Sequence, residues 1–66
     1  MKERYLFKGN LNIKINKSDL SRKTEISYPS ITNIINCKIT TNKAYAFIIT
    51  KFLDKDKNIE DYFIKI

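Results

Sequence analysis

Two helix-start signals placed close together constrain this chain more than any other feature. Asn16 precedes a Lys-Ser-Asp-Leu run, and its side-chain oxygen can accept from the free N–H groups of a first helical turn. Ser27 precedes a Tyr-Pro-Ser run, where Pro29 loses no helical hydrogen bond and presets φ. These signals predict one helix from residue 17 to about 24 and a second from residue 28 to about 36.

The turn between the two helices, residues 25–27, is very short. Helices joined by so tight a turn cross at roughly 90–120°, and we expect Ile26 to fill the corner. The second helix carries an apolar stripe at positions i, i+3 and i+4, which predicts its buried face. The stripe consists of Ile31, Ile34 and Ile35.

Two further helices are predicted downstream. Asn42 precedes a segment running to Leu53 whose apolar residues recur at helical spacing, at Tyr45, Ile48, Ile49, Phe52 and Leu53. Asn58 precedes a last short helix over 59–63, with acidic residues in its first turn.

The first fifteen residues permit two interpretations. A helix from about Lys2 to Ile13 is preferred, because Leu6, Phe7 and Leu11 would then share a face. The alternative is a small β-ribbon between the chain termini, since Tyr5 and Phe7 also alternate like strand residues. The expected fold class is therefore all-α, a bundle of about five short helices in a single domain over 1–66, with a terminal β-ribbon as the variant.

Chain length and composition exclude several classes of protein. A chain of 66 residues buries only roughly 60% of its unfolded surface, so a multi-layer enzyme is not expected. With no His and one Cys, the chain has no Cys/His zinc site and no Ser-His or Cys-His nucleophile pair. We expect no enzyme activity, no metal and no cofactor.

No membrane segment or signal peptide is expected either. The longest apolar run, residues 44–49, is six residues, whereas a membrane-spanning helix needs about 20. The prediction is a cytoplasmic protein without membrane contact.

The positive charge is concentrated in the first two-thirds of the chain. Residues 1–45 hold nine basic and three acidic side chains, whereas residues 46–66 hold four of each. The whole net charge of +6 thus lies in one part of a single domain, as expected of a face that binds a polyanion. The alternative is that lysines merely keep a small protein in solution.

The stretch from residue 15 to 38 resembles the helix-turn-helix of lambda-repressor-like, Xre-type phage and plasmid regulators. The matching positions are Asn16, Asp19, Leu20, Ser21, Ile26, Ser27, Ile31, Thr32, Asn33, Ile34, Asn36 and Lys38. The sequence departs from the family pattern at three places. Glu25 replaces a turn glycine and would need φ > 0 at roughly 1 kcal/mol, Cys37 replaces a second glycine, and Ile35 replaces an acid.

The resemblance implies that the second helix of the pair enters the major groove of DNA. It makes the start of that helix the base-reading surface, formed by Ser27, Tyr28, Pro29, Ser30, Thr32 and Asn33. Asn33 can pair bidentately with adenine, and Tyr28 and Pro29 can touch thymine methyls. Because no Arg or Lys lies on this surface, the predicted operator is A/T-rich. Each of these residues could instead be an ordinary solvated side chain.

Phosphate contacts are expected on both sides of the reading helix. The candidates are Asn16, Lys17, Asn36, Lys38, Thr40, Thr41 and Lys43. A homodimer is expected through the chain end, at Tyr62, Phe63, Ile64 and Ile66, because a chain end has less protein around it. The alternative is that the apolar residues of the last third are core.

The resulting hypothesis is a sequence-specific repressor from a phage or mobile element that binds double-stranded DNA. The alternative is a helix-turn-helix scaffold that contacts a protein, as an antitoxin-like or inhibitor protein would.

Overall fold

Four helices and two short strands form the regular structure of residues 3–9 and 14–66, which the computed structural model describes. In chain order they are β1 (Tyr5–Phe7), α1 (Lys17–Thr24), α2 (Tyr28–Ile35), α3 (Lys43–Leu53), α4 (Ile59–Tyr62) and β2 (Phe63–Lys65). The radius of gyration is 10.6 Å, close to the ~11 Å expected of a folded domain of this length. The molecule is mainly helical, but it is not all-α.

The preferred N-terminal helix from Lys2 to Ile13 was wrong over its described part, and the terminal β-ribbon is confirmed. Strands β1 and β2 pair antiparallel, with Tyr5 opposite Lys65 and Phe7 opposite Phe63. Residues 1, 2 and 10–13, and with them the predicted role of Leu11, lie outside the described residues.

Aromatic burial explains why this segment is a strand. Tyr5 and Phe7 are 6% and 4% exposed, and alternation of a strand points both side chains to the same face. The rings of Phe7 and Phe63 meet edge to face, with centroids 5.3 Å apart. Full burial of an apolar side chain of this size contributes about 1.5–3 kcal/mol, and the strand conformation buries both residues on one face.

The first helix pair matches its prediction closely. The Asn16 side chain caps α1 by accepting from the backbone N–H of Asp19 at 3.0 Å. Helix α1 ends at Thr24, and the C-cap residue Glu25 adopts the left-handed φ of 60° expected where glycine is missing. Ile26 is buried in the corner between α1 and α2.

The inward face of α3 differs from the predicted stripe. Its buried residues are Ala46, Ile49 and Thr50, while Tyr45 and Phe52 are exposed. Residues 44–49 are all apolar, so hydrophobicity alone cannot choose between neighbouring faces of this helix.

The core gathers one layer of side chains from every element. It is built around Ile31 and Ile34 of α2, Ile49 of α3 and Phe63 of β2, all nearly inaccessible to water. Helix α2 is therefore anchored by its apolar stripe, as predicted, and its opposite face is left to solvent.

Thr50 offers a test of the packing. Its hydroxyl is buried and finds no hydrogen-bond partner in the described part of the chain. Thr50→Val replaces that hydroxyl with a methyl group, so we expect the free energy of unfolding to rise by about 1 kcal/mol. Urea denaturation measures the change. As the contrasting variant, Thr24→Val removes a hydroxyl that donates to the Leu20 carbonyl at 2.7 Å and should lower stability by a similar ~1 kcal/mol.

The terminal sheet should confer a pH-dependent part of the stability. The Lys65 ammonium lies 3.0 Å from the Glu3 carboxylate, and this contact, followed by the hydrogen bond from Tyr5, lowers the pKa of Glu3 from its ordinary 4.5. A carboxylate whose pKa falls on folding stabilises fully above the unfolded value and loses its contribution as pH drops through the lowered one. Glu3→Gln should therefore destabilise at neutral pH and have little effect near pH ~2.

Thermal unfolding of Glu3→Gln at both pH values measures this dependence. Asp56→Asn removes an exposed loop carboxylate that forms no ion pair among the described residues and serves as the control. An equal effect of Glu3→Gln at the two pH values would contradict the assignment.

Candidate nucleic-acid interface

Helix α2 presents a polar, uncharged outer face. Pro29 stands within its first turn, and Ile31 and Ile34 point into the core. On the outer side Tyr28 is 49% exposed, Pro29 is exposed and Asn33 is half-buried. The helix contains no charged side chain, so nothing on it repels or attracts a polyanion directly.

The start of α2 is arranged differently from the starts of α1 and α3. Ser27 occupies the N-cap position, but its side chain makes no bond to the helix backbone. Its hydroxyl instead donates to the Ser30 hydroxyl at 2.9 Å. The first-turn N–H groups of α2 are thus left without a side-chain cap.

Thr32 does not fit the predicted base-reading role. Its hydroxyl oxygen is buried and finds no partner within the described residues. Helical geometry turns this side chain toward the protein beside the Ile31 stripe. Of the six predicted reading residues, the exposed ones are Ser27, Tyr28 and Pro29, with Ser30 and Asn33 half-buried.

On the side of α1, the predicted phosphate contacts are accessible. Asn16 is exposed and Lys17 half-buried, and both lie at the start of α1. The neighbouring acid is neutralised, because Asp19 lies 3.1 Å from both Lys23 and Arg22. Lys23, with a smaller contribution from Arg22, lowers the pKa of Asp19, so this carboxylate remains ionised and paired.

In the loop between α2 and α3 and at its two ends, some of the predicted phosphate contacts are exposed and others are not. Asn36, Lys38 and Lys43 are exposed. Thr41 was wrong as a phosphate contact, since it is 4% exposed. Its backbone is fully paired with Tyr5, by two hydrogen bonds of 2.8 Å.

The residue that follows the C-cap of α2 is Cys37, at a position where glycine is usual. Cys37 adopts φ of 61°, its N–H donates to the Ile34 carbonyl, and the N–H of Lys38 donates to the Asn33 carbonyl. These two bonds form a Schellman ending, in which glycine is usual. The Cys37 thiol donates to the Phe7 carbonyl at 2.9 Å. A Cβ at Gly9 would come within 3.0 Å of the Cys37 sulfur.

Two of the four predicted dimer residues are part of the core. Tyr62 is 9% and Phe63 2% exposed, because both pack inside the molecule where β2 follows α4. Ile64 and Ile66 are 51% and 69% exposed and remain available for association.

Arg4 is the contact that the sequence did not indicate. Its guanidinium donates to the Thr40 hydroxyl at 3.0 Å and to the Thr40 carbonyl at 2.7 Å. Thr40, a predicted phosphate contact, is therefore half-buried and held by an arginine. The residues are 36 positions apart, so no local spacing could have revealed the pair.

The described residues contain no group of three metal-ligating side chains in one place. Within the same part of the chain, no helix is long and apolar enough to cross a membrane.

Comparison of the chain with protein-family models, curated proteins and solved structures finds no significant match. The family resemblance based on residues 15–38 therefore stays a prediction.

Proposed function

We propose that the chain is a sequence-specific DNA-binding regulator in which α1 and α2 act as a helix-turn-helix. The observation that carries this proposal is the outer face of α2, which is exposed at Tyr28 and Pro29, half-buried at Asn33, and free of acidic residues. Helix α2 would lie in the major groove, and α1 would cross the phosphate backbone.

Electrostatics support a polyanionic partner. Asp19 is paired with Lys23 and Arg22, and Glu3 with Lys65. Four of the other five acids lie after α3, in the segment from Asp54 to Asp61. The proposed contacts at Lys17, Lys38 and Lys43 thus act in the part of the chain that carries the net charge.

The chemistry of α2 favours an A/T-rich operator. The Asn33 amide can pair bidentately with adenine, and the Tyr28 ring and Pro29 can contact thymine methyl groups. Bidentate guanine recognition needs Arg or Lys, and α2 contains neither.

Repression and an origin in a phage or mobile element rest on the family resemblance alone. A regulator of this size is expected to act as a two-fold dimer, with reading helices about 34 Å apart on a palindromic site. The exposed Ile64 and Ile66 of the chain end are the proposed contact.

A protein-binding scaffold is the second candidate. Phe47 and Phe52 are 51% and 50% exposed on α3, and exposed aromatic side chains are enriched at protein interfaces. The excess of basic side chains in residues 1–45 would then bind an acidic partner protein.

Selection of binding sites from random duplexes tests the proposed function. We expect enrichment of a palindromic, A/T-rich motif. Failure to enrich any motif, together with unchanged behaviour of an Asn33→Ala variant toward DNA, would favour the protein-binding scaffold.

Substitution of Asn33 tests the reading role. Asn33→Ala should lose about 1–3 kcal/mol of discrimination at one adenine, roughly 5- to 150-fold, and keep its non-specific affinity. Fluorescence anisotropy with matched and mutated operators measures both quantities. Asn36→Ala, a proposed phosphate contact at the other end of α2, is the matched control and should weaken all sequences alike.

Substitution at the chain end tests the dimer. The double variant Ile64→Ser and Ile66→Ser should sediment as a monomer at concentrations where the wild type is dimeric, because it removes exposed apolar contact area. Phe47→Ser changes a side chain that is 51% exposed, as Ile64 is, and should leave the dimer intact. Equal effects of the two changes would place the contact elsewhere.

A further inference from the structure

Arg4 is held rigidly by a backbone that is paired on both sides. The N–H of Ile66 donates to the Arg4 carbonyl at 2.9 Å, and the next residue, Tyr5, is paired with Thr41. The guanidinium itself is fixed by its two bonds to Thr40. A side chain so restrained loses little further conformational freedom when it binds a ligand.

The charge of Arg4 is not neutralised within the described part of the molecule. The ion pairs there join Arg22 and Lys23 to Asp19, and Lys65 to Glu3. Among residues 3–9 and 14–66, the Arg4 side chain is bonded only to the neutral Thr40. A guanidinium has five N–H donors, so three remain for another partner.

Arg4 also lines a shallow depression of about 200 Å³ between α2 and the start of α3. The other lining residues are Ser30, Ile34, Ile39, Thr40, Thr41, Asn42 and Tyr45. One water molecule needs only about 10–15 Å³ of such space, so the depression has room for a phosphate group. No carboxylate lines the depression.

Neutral donors complete the site. The Ser30 hydroxyl accepts from Ser27, which leaves its own hydrogen free to donate. The Asn42 side-chain oxygen accepts from the Tyr45 N–H at 2.8 Å, which leaves the Asn42 amide hydrogens free. One fixed cation and two neutral donors around a hollow without acids suit a phosphate oxygen cluster.

We propose that this depression, named here the Arg4 site, binds one phosphate group. The inference rests on the proposed function for its source, which is a DNA backbone phosphate beside the reading helix. Ser30 would then act in phosphate binding and not in base reading. Arg4, the residue just before β1, would contribute to the DNA interface although it lies outside the helix pair.

Titration with inorganic phosphate, followed by NMR, tests the site without DNA. In the wild type the Arg4 Nε–H signal and the backbone signals of Ser30 and Asn42 should shift together. In Arg4→Gln, which lacks the Nε–H, the Ser30 and Asn42 signals should stay unmoved. Asn42→Asp retains a good helix cap and places a negative charge in the hollow, so it too should abolish the shifts. This second variant keeps the test valid if Arg4→Gln unfolds. Shifts that are absent, or that map elsewhere, would overturn the site.

Binding to the selected duplex tests the source of the phosphate. Arg4→Gln should weaken all sequences by about tenfold and reduce the slope of log K against log salt by about one, with base preference unchanged. Lys55→Gln is the matched charge control, because Lys55 is an exposed lysine that follows the end of α3, whereas the Arg4 site lies at the start of that helix. Helix α3 has 11 residues and is ~16 Å long, so its length separates the two positions.

Equal effects of the Arg4 and Lys55 variants would indicate general charge attraction and overturn the Arg4 site as a DNA contact. Phosphate binding at Arg4 without any DNA binding by the wild type would overturn the proposed function and leave the phosphate site supported.

Discussion

The pairing of β1 on both its edges holds this small molecule together. On one edge it pairs with β2, and on the other Tyr5 exchanges two hydrogen bonds with Thr41 in the α2–α3 loop. The edge-to-face contact of Phe7 with Phe63 also packs β1 against the hydrophobic core. Three remote parts of the chain are thereby fixed to one another without a disulfide, since the only cysteine is free.

This arrangement determines what α2 can offer to a partner. The core takes the Ile31 and Ile34 side, and the pinned loop fixes the helix end, so the polar side faces solvent. Arg4, the residue just before β1, is thereby held against Thr40, beside the start of α3. The proposed DNA-binding surface thus combines a helix pair with an N-terminal residue that is distant in sequence.

At two described non-glycine residues, tertiary contacts stabilise a left-handed backbone conformation that the residue itself disfavours. Glu25 and Cys37 have φ near 60°, and each such residue costs roughly 1–2 kcal/mol. At Glu25 the adjacent Ile26 is buried, and at Cys37 the thiol bonds to β1. These contacts hold the backbone in conformations that the isolated turns would disfavour.

The sequence by itself determined the local elements: the bounds of α1, α2 and α3, the Asn16 cap, and the turn at Glu25. Capping and helical periodicity depend on residues only a few positions apart, so both can be predicted from the local sequence. Only the tertiary structure decided that the N-terminus is a strand, that α3 buries Ala46 and not Tyr45, and that Thr32, Thr41, Tyr62 and Phe63 face inward. It also decided that Arg4 joins the candidate site. These outcomes depend on contacts between residues far apart in the sequence, for which local propensity carries no information.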